Sequence, residues 1–458
     1  MEKDNFCSKN WAESEFSTLN LGDKRLDKRL VNLAEHRSVN INASIAETCG
    51  SLANTKGAYR FYENEDVKCE EIIRAHTDST IKRALNEKIL LSIQDTTEFS
   101  YGDRKTIKGL GTLNSLKNLG FLLHSDILYT TDKVPIGIIS QEFIIRPEEE
   151  FGKRVTYNKR SIEEKESKKW LIALEATHRL HLKMPEIEII SLSDRESDIY
   201  DFFFKAIELE ETVIARAAWD RNVESEQKHL WPYVEKLEEA GKVTIKVPIK
   251  DSHKTRDAVF SVKYSSVNIF PPAGRKKEHL KKIRMNAVYL KEITKEEECI
   301  SWLLLTTKEI RTFEEAVLIV EYYVQRWSIE VFHKILKSGS RILKREFKSV
   351  ENLKRFITID SIAGIRIQAM TMIGRTDKGK TPCTAIFEEY EWQALYCFEN
   401  KVKTPPKEIP TINQMIRWIA KLGGFLGRKG DKEPGIETMW IGMQRFNDIA
   451  DTWKLLKL

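Results

Sequence analysis

No uncharged apolar segment of this chain approaches the roughly 18 residues that a membrane span needs. The first residues, MEKDNFCSKNW, contain no apolar run of signal-peptide type, so a cytoplasmic protein is expected. Cysteine is scarce and scattered. The six, Cys7, Cys49, Cys69, Cys299, Cys383 and Cys397, form no Cys-x-x-Cys pair and no cluster with histidine. That argues against a zinc site and a disulfide framework, and they read as reduced, mostly buried thiols. There is no Gly-x-x-x-x-Gly-Lys-Ser/Thr loop to cradle nucleotide phosphates, so no nucleotide cofactor is expected. Internal repeats and low-complexity tracts are absent too. The net charge of +6 and pI near 8.7 are only mildly basic, so an anionic partner must be argued from local clusters rather than from the total. What remains is a chain of 458 residues, 41% hydrophobic, long enough for two or three domains with a substantial core.

The most informative stretch runs from Tyr323 to Lys337. At roughly 100 degrees per residue, Tyr323, Arg326, Glu330, Lys334 and Lys337 fall in a sector about a quarter of the circumference wide, with Trp327 beside it. Val320, Val324, Val331 and Ile335 lie to one side of this stripe, and Leu318, Tyr322, Ile329, Phe332 and Leu336 cover the far side. The pattern predicts one largely buried helix with a single polar seam. A carboxylate set among cations there is poorly explained by solubility and points to a metal and phosphate.

Residues 1 to about 70 read helical. Asp23 is placed to cap a basic amphipathic helix carrying Lys24, Arg25, Lys28 and Arg29, with Leu26, Leu30 and Leu33 on another face. The cations can contact a DNA backbone or simply face solvent. From Lys88 the pattern turns to strands: Ile89 to Asp95, then about 123 to 130 and 135 to 145, joined by the turn Thr131-Asp132-Lys133. A helix is expected from Lys159 to Leu182, a strand from Ile187 to Ser193 ending at Asp194, a helix from about Glu196 to Ile207, and a strand from Thr212 to Ala217. This order predicts an α/β protein, a mixed sheet with helices on both faces. Between about 220 and 310 the pattern changes to four antiparallel-like strands, Lys242 to Ile249, Ala258 to Tyr264, Ile283 to Ile293 and Ser301 to Thr307, read as a β-rich insertion. A second long helix is expected from about Val350 to Gly374. A polar linker through Pro405 and Pro406 follows, then a helical end interrupted at Leu422 to Gly427.

Singly, the acidic residues have plain explanations. Asp194 can cap the helix after it, and Asp95 at a strand end can be turn chemistry. Glu330 needs at least an ion pair with Arg326 or Lys334. Together they say more. Two aspartates at the ends of strands that a parallel arrangement sets side by side, plus a glutamate from a later helix, provide oxygen ligands for a pair of Mg2+ ions. Two metals about 4 Å apart activate a hydroxyl nucleophile and stabilise the leaving oxygen of a phosphodiester.

The order Asp95, Asp194, Glu330, with Tyr323-x-x-Arg326-x-x-x-Glu330 followed by Lys337, resembles the signature of the cut-and-paste DDE transposases of the bacterial insertion-sequence-four family, of the transposon-five type. Supporting segments are Leu21-Gly22-Asp23-x-Arg25, Gly57-Ala58-Tyr59-Arg60-Phe61, Gln94-Asp95-Thr96-Thr97, His124-Ser125, Ser193-Asp194-Arg195-Glu196-Ser197-Asp198, Trp302-Leu303-Leu304-Leu305-Thr306 and Leu422-Gly423-Gly424-Phe425. The likeness thins between about 375 and 412 and holds in the insertion mainly for its framing strands. It implies an RNase H-like catalytic domain at 71–375 with the insertion before the glutamate helix, a helical DNA-end-binding domain at 1–70 and a helical dimerisation region at 376–458. It implies Asp95, Asp194 and Glu330 as ligands of two Mg2+ ions, with Mn2+ able to substitute, and Tyr323, Arg326 and Lys337 on transposon-end phosphates. Trp302 would stack on an extruded base during hairpin formation, or be a buried strand aromatic. Arg216, His333 and Lys334 would contact DNA or support residues that do, and His333, with no partner at metal spacing, reads as packed or phosphate-facing. Glu98 departs from the smaller polar residue expected there; it can bear on the metals or face solvent. The cluster Arg275-Lys276-Lys277 with Lys281, Lys282 and Arg284 is a solvated loop or a DNA contact.

The activity implied is binding of terminal inverted repeats, pairing of two ends by a homodimer, hydrolysis, release through a hairpin and joining of 3′ hydroxyls to target DNA. Two alternatives stay open: an RNase H-like nuclease without strand transfer, and an inert relative that only occupies transposon ends.

Overall fold

The computed structural model describes residues 6–456 except 9, 105, 153–159, 249–254 and 295–298. In chain order, helices Trp11–Glu15, Lys24–Val39, Ile45–Cys49, Leu52–Glu63 and Cys69–Ala84 precede four strands, β1 (Ile89–Gly102), β2 (Gly111–Thr112), β3 (Leu119–Thr130) and β4 (Pro135–Ile144). Helix Lys168–His181, strand β5 (Glu188–Ser193), helix Tyr200–Glu208, strand β6 (Thr212–Arg216) and helix Leu230–Lys236 come next. Strands β7 (Gly241–Pro248), β8 (Thr255–Ile269), β9 (Ile283–Glu292) and β10 (Ser301–Thr306) lead into helices Phe313–Val324, Ser328–Lys334, Val350–Ile373, Glu389–Asn400, Ile412–Leu422 and Ile436–Leu456. The chain is mixed α/β, compatible with an RNase H-like fold with helical flanks. It forms two compact units, one of residues 1–87, 96–154 and 328–458, the other of residues 88–95 and 155–327.

The first unit is organised around helix Val350–Ile373. Its hydropathy would suit a membrane span, yet 94% of the apolar window is buried within the protein. Its charged residues explain how. Arg355 donates to Val67 O (2.8 Å) and Tyr62 O (3.0 Å), and Arg366 donates to Phe6 O (2.9 Å), Cys7 O (2.9 Å) and Ser8 O (3.0 Å). Asp360 is gripped by Arg37 through two hydrogen bonds of 2.8 and 2.7 Å. A buried charge without such partners is costly, so the N-terminal segment and this helix need each other. As expected, Asp23 caps helix Lys24–Val39, its carboxylate accepting from Arg25 N. The hairpin of β3 and β4 also forms where expected, with Lys133 at φ 68° in its turn.

In the second unit the strand order is β1, β5, β6, β10, β9, β8, β7. β1, β5 and β6 are parallel and the rest antiparallel. Beneath lies a core that includes Trp170, Leu174, Phe202, Phe203, Val213, Leu303 and Leu305. The four strands read as an insertion form, but they are no separate layer, because β10 pairs with β6 and carries the same sheet onward. Two helices are shorter than expected. That after residue 159 begins at Lys168, behind a 3-10 turn at Ile162–Glu164, and its first expected residue, Lys159, lies outside the described residues, as does Ile249 at the end of an expected strand. That after Asp194 begins at Tyr200, behind a 3-10 turn at Arg195–Ser197.

Candidate functional site

Strand pairing builds the site of the second unit. β1 and β5 pair in parallel from Ile89 with Glu188 to Ile93 with Leu192. The same offset carried two residues on sets Asp95 opposite Asp194. β5 and β6 pair from Ile190 with Thr212 to Ser193 with Ala215, and one step further Asp194 stands opposite Arg216. In-register neighbours on adjacent strands, roughly 4.8 Å apart, point to the same face. Asp95, Asp194 and Arg216 therefore form one row across three parallel strands, at their carboxyl ends within this unit.

Local chemistry stops β5 where it does. The Asp194 carboxylate accepts from Glu196 N (2.8 Å), Ser197 Oγ bonds Asp194 O (2.8 Å), and together they start the 3-10 turn. The plain expectation that Asp194 is a cap is thus correct, and it leaves the second carboxylate oxygen without a hydrogen bond among the described residues. Asp95 differs from expectation. It does not end a strand, because β1 runs on to Gly102, so turn chemistry does not account for it.

Helix Phe313–Val324 leads to Arg326. It is started by a capping box, Thr312 Oγ1 accepting from Glu315 N and Glu315 returning the contact to Thr312 N, each at 3.3 Å. Just beyond its end, Arg326 Nη1 lies 3.3 Å from Asp95 Oδ2, the two side chains only 12% and 16% exposed. Burial pushes the Asp194 carboxyl above the usual range; the Glu196 N–H, Arg326 and Lys169 oppose that shift without overcoming it. Burial likewise raises the Tyr323 hydroxyl, against the pull of Arg326 and Arg216. Arg216 is held below the ordinary arginine value by burial first and then by Arg195. Its guanidinium donates to Ser301 O (3.2 Å) and sits 5.9 Å from the ring centre of Trp302. Trp302 is half-buried, stacked on Phe260 and met edge-on by Tyr323, each at 6.0 Å. A partly dehydrated carboxylate pair ringed by arginines can take a hard cation on its oxygens and a phosphate on its guanidinium groups.

The remaining expected site residues belong to the first unit. The long helix predicted through Tyr323 to Lys337 is broken. A 3-10 turn at Gln325–Trp327 separates two α-helices, and a π turn occupies Ile335–Gly339. The single 100-degree seam does not survive those changes of pitch, and Val331, expected to pack, is 37% exposed. Glu330 and Lys337 are exposed, Lys337 with its ammonium 5.8 Å from the Phe99 ring centre. Lys334 Nζ lies 3.3 Å from Glu437, and His333 is buried against Phe332. Glu98 is exposed. Among the described residues, no group of three or more His, Cys, Asp or Glu is gathered tightly enough to hold a metal ion. The donor set within one unit is the aspartate pair.

In helix Lys24–Val39, Lys24 and Lys28 are exposed, Arg25 forks onto Asp23 at 2.7 Å, and Arg29 reaches Asn54 at 3.4 Å. Gly57 leaves space for that guanidinium, since a Cβ there would meet Arg29 Nη2 at 2.9 Å.

Residues 8–67 match a family described as Transposase DNA-binding, and residues 362–454 match the Transposase Tn5 dimerisation domain. The chain is a Tn5-type transposase. The first match covers the helices from Trp11–Glu15 to Leu52–Glu63, and the second runs from within helix Val350–Ile373 to near the end of helix Ile436–Leu456. In this transposase DNA binding and self-association therefore belong to its opening and closing segments.

Two residues that follow row positions in the chain did not stand out in the sequence. Arg195, just after Asp194, acts electrostatically on Arg216. Its signal was present in the quoted Ser-Asp-Arg-Glu word. Trp219, three residues past Arg216, is 66% exposed, and no periodicity marks an exposed loop aromatic.

Proposed function

We propose that this transposase cleaves the ends of its element and joins the freed 3′ hydroxyls to target DNA, with Asp95, Asp194 and Glu330 as the catalytic carboxylates. The observation that carries the reading is the in-register pair Asp95 and Asp194 with Arg326 at 3.3 Å. The three carboxylates would hold two Mg2+ ions, Mn2+ substituting. Bound there, the ions would supply Lewis-acid stabilisation of the attacking and leaving oxygens. Tyr323, Arg326 and Lys337 bind end phosphates, Arg326 exchanging its contact with Asp95 for a phosphate fork. Arg216 adds positive charge beside Asp194, Trp302 receives a base extruded during hairpin formation, and His333 and Lys334 back the DNA contacts. Residues 1–70, through Lys24, Arg25, Lys28 and Arg29, hold the end, residues 71–375 carry out the chemistry, and residues 376–458 pair two protomers at the synapse. The work is done in the bacterial cytoplasm, without a nucleotide cofactor.

A strand-transfer assay tests this. Purified protein, Mg2+, a pre-cleaved duplex of the terminal repeat flanking its own gene and a supercoiled plasmid should give joined product. Cutting of uncleaved ends without joining would leave a nuclease, and binding with neither reaction would leave an inert end-binding protein.

A further inference from the structure

Helix Lys168–His181 ends in two histidines three residues apart, His178 and His181, and both turn to one buried carboxylate in the second unit. Glu211, 1% exposed, meets His178 Nδ1 at 2.7 Å and His181 Nδ1 at 3.0 Å through the same oxygen, and its second oxygen lies 3.2 Å from His181 Nδ1. A carboxylate accepts, so each ring donates from Nδ1 and keeps a lone pair on Nε2. Neither Nε2 bonds anything among the described residues. The two side chains are 26% and 31% exposed, and neither Nε2 is sealed from water.

Backbone chemistry fixes the carboxylate. After helix Tyr200–Glu208, Glu210 takes the left-handed conformation (φ 58°), Glu211 N donates to Ala206 O (2.8 Å), and Glu211 O accepts from Thr307 Oγ1 (2.8 Å). The histidines occupy the last turn of their own helix, where the negative end of the helix dipole favours a cation. Side chains three apart on a helix are neighbours, with roughly 5–6 Å between Cβ atoms, near enough to share one ion. The aspartate row is elsewhere. Arg216 ends β6 whereas Glu211 precedes it, a separation of roughly 16 Å at about 3.3 Å per residue.

We infer that His178 and His181 bind a divalent transition ion of the zinc, nickel or copper class through Nε2, with Glu211 as the carboxylate that orients both rings. A neutral imidazole whose other nitrogen donates to a carboxylate is the arrangement that sets histidine ligands in metal sites. Imidazole also selects these metals over Mg2+. Among the described residues no three His, Cys, Asp or Glu groups gather closely enough to ligate together, so two nitrogens and water make up the coordination. The site contains no cysteine, and cysteine spacing therefore carries no trace of it. It stands independently of the chemistry proposed at the row.

The test uses the full-length protein, freed of transition metal and kept in Mg2+, with Zn2+ titrated in competition with a chromogenic chelator. The wild type should bind one equivalent of Zn2+ per chain, and the double variant His178→Gln/His181→Gln, whose amides still offer an N–H to Glu211, should lose it. Glu211→Gln should weaken Zn2+ binding by roughly 10- to 100-fold, as expected of a group that acts through the rings. Asp95→Ala/Asp194→Ala should bind as the wild type does. No Zn2+ on the wild type, or the equivalent retained by the double histidine variant, would overturn the inference. Loss of the equivalent in Asp95→Ala/Asp194→Ala alone would overturn it too, by placing the ion at the row. Zn2+ should also raise the melting temperature of the wild type but not that of His181→Gln, so a single variant answers if the double one fails to fold; an equal rise in both would again overturn it.

Discussion

Arg37 and Asp360 form a bidentate ion pair 323 residues apart in sequence, with both side chains essentially sealed from water, 1% and 0% exposed. The same Asp360 carboxylate also accepts from Ser340 Oγ, and Arg37 Nη1 donates to Ala43 O at 2.7 Å. Arg37 lies in the segment matching the DNA-binding family, and Asp360 stands two residues before the dimerisation match begins.

Removing one member of that pair strands the other charge inside the protein. Asp360→Ala or Arg37→Ala should therefore destabilise the fold by about 3–5 kcal/mol. Urea denaturation is the measurement, and a cost under about 1 kcal/mol would show that the pair is not buried in solution.

Each of Asp95→Ala, Asp194→Ala and Glu330→Ala should abolish Mg2+-dependent end cleavage while binding of the terminal repeat survives. Gel assays of cleavage and binding on the same preparations decide it. Cleavage retained by any one of the three removes that residue from the site.

Arg326→Ala should weaken end binding and reduce the slope of log K against log salt by about one, as expected for one lost phosphate contact, and Lys337→Ala should act the same way. Titrations at several salt concentrations measure this, and unchanged slopes would deny both residues a phosphate role.

His76 gives a pH signature. Its Nε2 accepts from Ile138 N (2.8 Å), which only the neutral ring can do, so the proton sits on Nδ1, facing Glu15 at 2.5 Å with Arg83 beyond. Burial holds this histidine below its ordinary 6.5 despite Glu15. Glu15, although burial raises it, is held below 4.5 by Arg83 and His76. Both groups bind fewer protons folded than unfolded, so stability rises with pH: it is lost as pH falls below about 6.5, and further through the carboxylate range. Urea midpoints measured across that window should fall, and His76→Gln should flatten the part between about 6.5 and 5. An equally steep fall in the variant would place the effect elsewhere.

Much was legible along the chain because it depends on near neighbours. The Asp23 cap, the β3–β4 turn and the helix from Val350 follow from periodicity and turn chemistry. The broken pitch after Val324 did not, since a 3-10 and a π turn leave the same apolar positions available. Nor did helix Glu389–Asn400, which falls where the family likeness thins.

The amino-acid order by itself determined the caps, the turns and the type of most elements, because those properties reside in a residue and its few neighbours. Tertiary structure alone decided that Asp95, Asp194 and Arg216 share one row, that Arg37 meets Asp360, and that Trp302 is only half-buried. Register and burial are set by strands and helices tens to hundreds of residues apart, and no local pattern specifies which distant partner relieves a buried charge.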